Sequence, residues 1–345
     1  MSRTVTAAIL TALLLAAGCT ADAGEDSAPT APTMLEASTE VPASATPTEP
    51  THPADAAASL TGGLDEFFDA GSSADEAVLR LRDAGRAADA DLIQRIADQP
   101  VGIWLGEWSP DVTTTVRSIT EQASAASQIA LFVVYNVPGR DCGLHSAGGA
   151  PVDAYLAWVQ QVADGVAPGS VAWFVLEPDA LAQLGDCEGQ GDRVGLLAEA
   201  ARILDDAGGS VFADVGHSNW HTPETIAERL AAVGTENLAG VATNTSNYNA
   251  TANERAWGEQ LFGLTGLQFI TDTSRNGNGA PADGAWCNPR GMAIGQPPQI
   301  IDREGAFVAT IWTKVPGESD GTCNGGPAAG AWWEEIALEL AGGSS

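Results

Sequence analysis

Positive charge is the scarcest property of this 345-residue chain. Lys and Arg together number 15 against 45 Asp and Glu, a formal net charge of -30. Nucleic acids and anionic membranes are gripped through basic patches, so no nucleic-acid partner is expected. The acids are scattered rather than massed, as solvated surface charge is. Nucleotide signatures are missing too. No GxGxxG follows the first apolar run of the folded part, and no GxxxxGK[ST] occurs. There is no CxxC pair and no cluster of histidines, which argues against a metal site; no metal and no cofactor are expected. Nor is there a membrane span, because the N-terminal apolar stretch, residues 7–17, is too short to cross a bilayer as a helix.

That stretch has the character of a processing signal. Arg3 precedes it, and it ends in Leu15-Ala16-Ala17-Gly18-Cys19. Small residues before a cysteine resemble a lipobox, which makes 1–19 a signal peptide and Cys19 the lipidated mature N-terminus. Residues 20–60 are rich in Thr, Pro, Ala, Ser and Glu. Such a segment buries too little apolar surface to offset its ordering entropy, so it reads as a tether stiffened by proline. The expectation is an extracellular, monomeric domain over 61–341, touching the membrane only through its lipid anchor. Of five cysteines, four remain in that domain. In an exported protein they read as disulfides. Three pairings are open, of which Cys142 with Cys187 and Cys287 with Cys323 are the simplest.

The domain is organised around residues 171–179. An apolar run, Val171-Ala172-Trp173-Phe174-Val175-Leu176, stops at Glu177-Pro178-Asp179. It is short, lacks polar alternation and carries β-branched and aromatic residues, as a strand buried on both faces does. Pro178 is expected to end the ladder and hold Glu177 extended. Six more runs resemble it, at 101–105, 129–135, 210–215, 239–244, 267–272 and 306–312. Helix-like stretches separate them, such as 112–126, 152–166, 193–207 and 222–233, and another at 74–96 precedes the first. Strand–helix alternation implies parallel strands with right-handed crossovers. Seven strands suggest an incomplete parallel β/α barrel, one strand short of the standard eight, with an open doubly wound sheet as the alternative.

In such a barrel the residues just after each strand share one rim, where the chemistry sits. Here that rim gathers Tyr135, Arg140, Asp141, Glu177, Asp179, Asp214, His217, Asn247, Asp272, Arg275, Lys314, Glu318 and Asp320. Trp104, Trp220 and Trp286 fall among these polar groups, where indole faces stack on sugar rings; Trp158, Trp173, Trp332 and Trp333 read as core. Asp, Glu, Asn and Lys bind hydroxyls, and paired carboxylates are the tools of glycoside hydrolysis.

The ordered blocks YNVPGRDCG (135–143), LEPDAL (176–181), DVGH (214–217), NTSNY (244–248), DTSRNGNG (272–279), WC (286–287) and KVPGESDG (314–321) resemble glycoside hydrolase family 6, the inverting cellulases. The resemblance runs from about 64 to 340. It implies a distorted, incomplete parallel β/α barrel as the fold and a β-1,4-glucan polysaccharide or oligosaccharide as substrate. It further implies Asp179 as general acid, Asp141 as its support, Asp214 as a further cleft aspartate and Asp320 as the debated base. Tyr135 would lie beneath the sugar being cleaved and Trp104, Trp220 and Trp286 would be platforms. His217, Asn247, Lys314 and Glu318 would bind substrate, and Cys142–Cys187 and Cys287–Cys323 would be disulfides. Asp320 sits between Gly317 and Gly321, with Val315 where proline is common, so a movable loop is expected. No long insertion roofs the cleft, which points to an endoglucanase; a cellobiohydrolase, another β-glucan hydrolase or a non-catalytic glucan-binding protein are the alternatives.

Overall fold

The computed structural model describes residues 60–343. The expected signal peptide, Cys19 and almost all of the tether lie outside the described residues. Seven parallel strands run through the fold: β1 (Ile103–Leu105), β2 (Ala130–Val134), β3 (Ala172–Leu176), β4 (Ser210–Asp214), β5 (Gly240–Thr243), β6 (Gln268–Asp272) and β8 (Phe307–Ile311). A two-residue antiparallel strand, β7 (Gln299–Ile300), pairs with β8 and gives the order β1-β2-β3-β4-β5-β6-β8-β7. The sheet curls until its two sides nearly meet. Gly102 N, just before β1, donates to Trp312 O, just after β8, at 2.8 Å. This is a distorted, incomplete α/β barrel.

Side chains alternate across each strand. Leu131, Val133, Trp173, Val175, Phe212, Ile270 and Val308 meet inside the curl. Phe132, Val134, Phe174, Leu176 and Val211 point outward, against helices α3 (Val112–Ala126), α4 (Tyr155–Asp164), α5 (Arg193–Asp206), α6 (Pro223–Val233) and α7 (Thr251–Thr265). Both faces are therefore buried, which is why the runs lack polar alternation. Leu60 belongs to the inner cluster and its carbonyl accepts from Trp173 Nε1 at 2.8 Å, so the fold begins one residue before the expected boundary.

The helix-like stretch at 74–96 is two helices, α1 (Ser73–Asp83) and α2 (Ala87–Ala97). Gly85, at φ +74°, breaks it in a conformation costly to any other residue. A capping box between Ser72 and Asp75 starts α1. α1 packs on α2, α2 packs on α8 (Glu334–Gly342), and the apolar cluster they form takes in Trp312. Trp173 is fully buried; Trp158, Trp332 and Trp333 are only half-buried against the clusters. Among the described residues no helix is long and apolar enough to cross a membrane.

Candidate active site

The carboxyl ends of the parallel strands converge as the barrel rule requires. Asp179, three residues past β3, is half-buried, and its backbone N–H donates to Asp214 Oδ1 at 2.9 Å. Asp214 ends β4, is buried, and accepts a second bond from Gly216 N at 3.0 Å. Its other oxygen, Oδ2, has no partner. Burial, followed by the charges of Asp214 and Asp141, pushes Asp179 well above its ordinary value. Burial also raises Asp214, to about 6. A proton on Asp179 would relieve that crowding.

Glu177 corrects the expectation of an extended residue before proline. Its φ is +49°. The reason lies in its side chain, which is fully buried and accepts from Asn136 N and Val137 N, each at 2.9 Å, and from Tyr155 Oη at 2.9 Å. These bonds tie the end of β3 to the loop after β2, which carries Tyr135 and Asp141. Burial raises Glu177 to about 7. Unfolded, the group titrates near the ordinary 4.5, so its contribution to stability is complete below about 4.5 and lost as pH rises through about 7. Thermal melts should therefore show a higher Tm at pH 5 than at pH 8, with part of that difference absent in Glu177→Gln. Equal slopes in wild type and variant would remove Glu177 from the account.

Asp141 is buried at φ +56°, followed by Cys142 at φ +46°. Its Oδ2 accepts from Ser146 N at 2.6 Å. Burial raises Asp141, opposed by Ser146 N–H, His145 and Arg140. The Cys142–Cys187 disulfide fastens this loop to the segment beyond Asp179. Arg140 fastens its other end, donating to both oxygens of Glu107 and to the carbonyls of Tyr135 and Ser146.

Asp320 is held rather than loose. It accepts from Arg275 Nη1 at 2.8 Å, Asn288 N at 2.9 Å and Tyr248 Oη at 3.1 Å, with Lys314 Nζ at 3.7 Å. Asp320 N donates in return to Asn288 Oδ1 at 2.8 Å, and Cys287–Cys323 closes the same loop. The flanking glycines serve close packing: a Cβ at Gly321 would lie 2.5 Å from His145 Cβ. Burial opposes charge on Asp320, but Arg275, Lys314 and the Asn288 N–H outweigh it and keep the carboxyl below its ordinary value. Lys314, the single lysine of the sequence, is itself lowered by burial.

Two hollows share the 140–146 loop as a wall. One, of about 500 Å³, is lined by Trp104, Trp108, Tyr135, Lys314 and Glu318 among others. Trp104 packs edge-on to Tyr135, and Glu318 accepts from Ser73 Oγ at 2.9 Å. The second, of about 450 Å³, takes in Asp141, Asp179, His217, Trp220, Asn247 and Trp286. Burial and His221 lower His217 to about 4, which leaves its ring neutral above that pH. Ten of the twelve expected catalytic and substrate-binding residues line one hollow or the other, whereas Asp214 and Asp320 line neither. Sequence reading assigned no role to Glu177, Tyr248, Arg275 or Asn288 individually. In the structure positive φ marks the site: seven of the nine described non-glycine residues with φ above zero are Asp141, Cys142, Glu177, Asp179, Asn244, Ser246 and Asn288, all at this rim. Such conformations cost about 1–3 kcal/mol each and persist where surrounding contacts impose them.

Residues 67–344 match the family model described as "Glycosyl hydrolases family 6". Endoglucanase A of Cellulomonas fimi is 48% identical over 265 residues, covering 76% of this chain and 58% of that protein. Endoglucanase 1 of Streptomyces sp. (strain KSM-9) is 40% identical over 263 residues, covering 73% of this chain and 72% of that one. The chain thus spans little more than half the length of the first of these relatives. The endoglucanase Cel6 from Mycobacterium tuberculosis, solved with methyl-cellobiosyl-4-deoxy-4-thio-β-D-cellobioside, superposes with a TM-score of 0.75 at 35% identity, covering 81% of this chain and 98% of that one. The curled sheet, the carboxylates gathered at its rim and a family model matched across the whole domain agree, and the chain belongs to glycosyl hydrolase family 6.

Proposed function

We propose that this chain is an endo-β-1,4-glucanase that inverts the anomeric centre it attacks. One observation carries the reading: Asp179 and Asp141 line the same hollow, with Asp214 bonded to the Asp179 backbone, and burial with these neighbouring carboxylates raises Asp179 while Arg275 and Lys314 keep Asp320 below its ordinary value. Asp179 gives its proton to the glycosidic oxygen as the C1–O bond breaks. Water then adds to C1 from the opposite face and loses a proton to a carboxylate. Asp141, fixed by Ser146 N–H, is placed to receive it through a hydrogen-bonded relay, and Asp320 supports or accepts it directly. Trp104 and Tyr135 hold the chain on one side of the cleaved bond, and Trp220 and Trp286 on the other, with His217, Asn247, Lys314 and Glu318 on its hydroxyls.

Endo action is supported by the exposure of Trp286 at 46%, at one end of a cleft whose disulfide-closed segments are compact. It is also supported by the names of the two relatives. With carboxymethylcellulose, viscosity should fall steeply while few reducing ends appear. Near-exclusive cellobiose with little loss of viscosity would assign an exo enzyme. Release of sugar from none of carboxymethylcellulose, barley β-glucan and xylan would leave a binding protein. Secretion and anchoring through a diacylated Cys19 complete the proposal, and mass spectrometry of the mature N-terminus checks them.

A further inference from the structure

We propose that Trp108 is an outer sugar platform, which extends the glucan site beyond Trp104 on the Tyr135 side of the cleft. The inference rests on the glucanase reading above. Trp108 is 51% exposed, the largest side chain so placed among the described residues apart from Trp286. Trp108 is also held still. A Cβ at Gly106 would lie 2.5 Å from its ring, so the indole packs closely against that stretch of backbone. The Arg140 guanidinium stands 5.0 Å from the Trp108 centroid and 4.8 Å from that of Tyr135. Arg140 itself is 4% exposed and fixed by its four acceptors.

A ring packed on Arg140 and half open to solvent offers apolar surface that is ordered before binding. It lines the same hollow as Trp104 and Lys314, so a chain already stacked on Trp104 reaches it by continuing outward. The apolar face of a pyranose is the chemistry that fits. The rival explanation is that Trp108 only packs on Arg140 and so steadies the loop bearing Asp141. That role would affect short and long substrates alike, whereas a platform is felt only by chains long enough to reach it.

The test is kcat/KM on cellotetraose and cellohexaose for the wild-type protein, Trp108→Ala and Trp108→Phe. In Trp108→Ala the hexaose-to-tetraose ratio should fall about tenfold, the usual scale for truncating an aromatic anchor. Trp108→Phe, which keeps a ring on Arg140, should retain most of the ratio. Should the alanine variant fail to fold, Trp108→Gln, of similar reach but without a ring, should show the same tenfold fall. An unchanged ratio, with activity lost equally on both lengths, overturns the platform and leaves the glucanase reading standing. Wild-type protein that cleaves neither length overturns both.

Discussion

Asp179→Asn is expected to lower the rate on cellulose and unactivated cello-oligosaccharides by about 10³-fold or more. General acid catalysis is worth roughly 10²–10⁴-fold, and an amide has no proton to give an alkoxide leaving group. The substitution should leave the fold intact. The bond from position 179 to Asp214 comes from the backbone N–H, which asparagine keeps. The change also removes one of three crowded carboxyls, so no stabilising charge pair is lost. Binding of cellohexaose should therefore persist, as isothermal titration would show. Substrates with an activated leaving group, such as 2,4-dinitrophenyl cellobioside, need little protonation and should lose far less. The pH profile gives an independent reading. In wild type, activity should fall on the alkaline side as Asp179 ionises, at a pH above the ordinary carboxyl range because burial, Asp214 and Asp141 hold its proton. In Asp179→Asn that limb should vanish. A variant within a few-fold of wild type on cellulose would refute the assignment of the acid.

The rim was legible in the sequence because of one geometric rule. Parallel strands joined by helices bring their carboxyl ends to one side, so a residue's place just after an apolar run sufficed to gather Asp141, Asp179, Asp214 and Lys314. The buried runs could be recognised because both faces of the sheet are covered. What stayed hidden depends on contacts between distant positions. Nothing local to Asn288 announces that it exchanges bonds with Asp320, 32 residues on. Gly317 and Gly321 read as hinges, yet in the fold Gly321 lets His145 approach and Asn288 pins the loop. Pro178 argued for an extended Glu177, but three hydrogen bonds to its buried carboxylate outweigh that local preference. Strand β7, two residues long, has too little sequence to carry a period.

Asp320→Ala tests the least settled role in the cleft, and its expected effect is double. Arg275 is 2% exposed and Lys314 is 9% exposed, and Asp320 is the carboxylate that both face. Removing it strands two buried cations side by side. Deleting one partner of a buried pair costs about 3–5 kcal/mol. For a domain of this size that is a fall in Tm on the order of 10 °C. Tyr248 Oη and Asn288 N lose an acceptor in the same step, so Asp320→Asn, which can still accept, should melt higher than the alanine variant. Catalysis should weaken as well, but by less than in Asp179→Asn when both are assayed well below the variant's Tm. On the proposed mechanism, leaving-group protonation rests on Asp179 alone, whereas the water's proton has a second way out through Asp141. Two measurements separate support from direct base action. Proton NMR of fresh products should show the α-anomer first; initial β-anomer would reject inversion. Azide should not restore the alanine variant if Asp320 mainly fixes Arg275, Lys314 and their loop. A catalytic loss equal to that of Asp179→Asn, reversed by azide, would make Asp320 the direct base. The cage of Arg275, Lys314 and Asn288 favours the supporting role, because the donors that keep Asp320 ionised also make its carboxylate a weak acceptor of a proton.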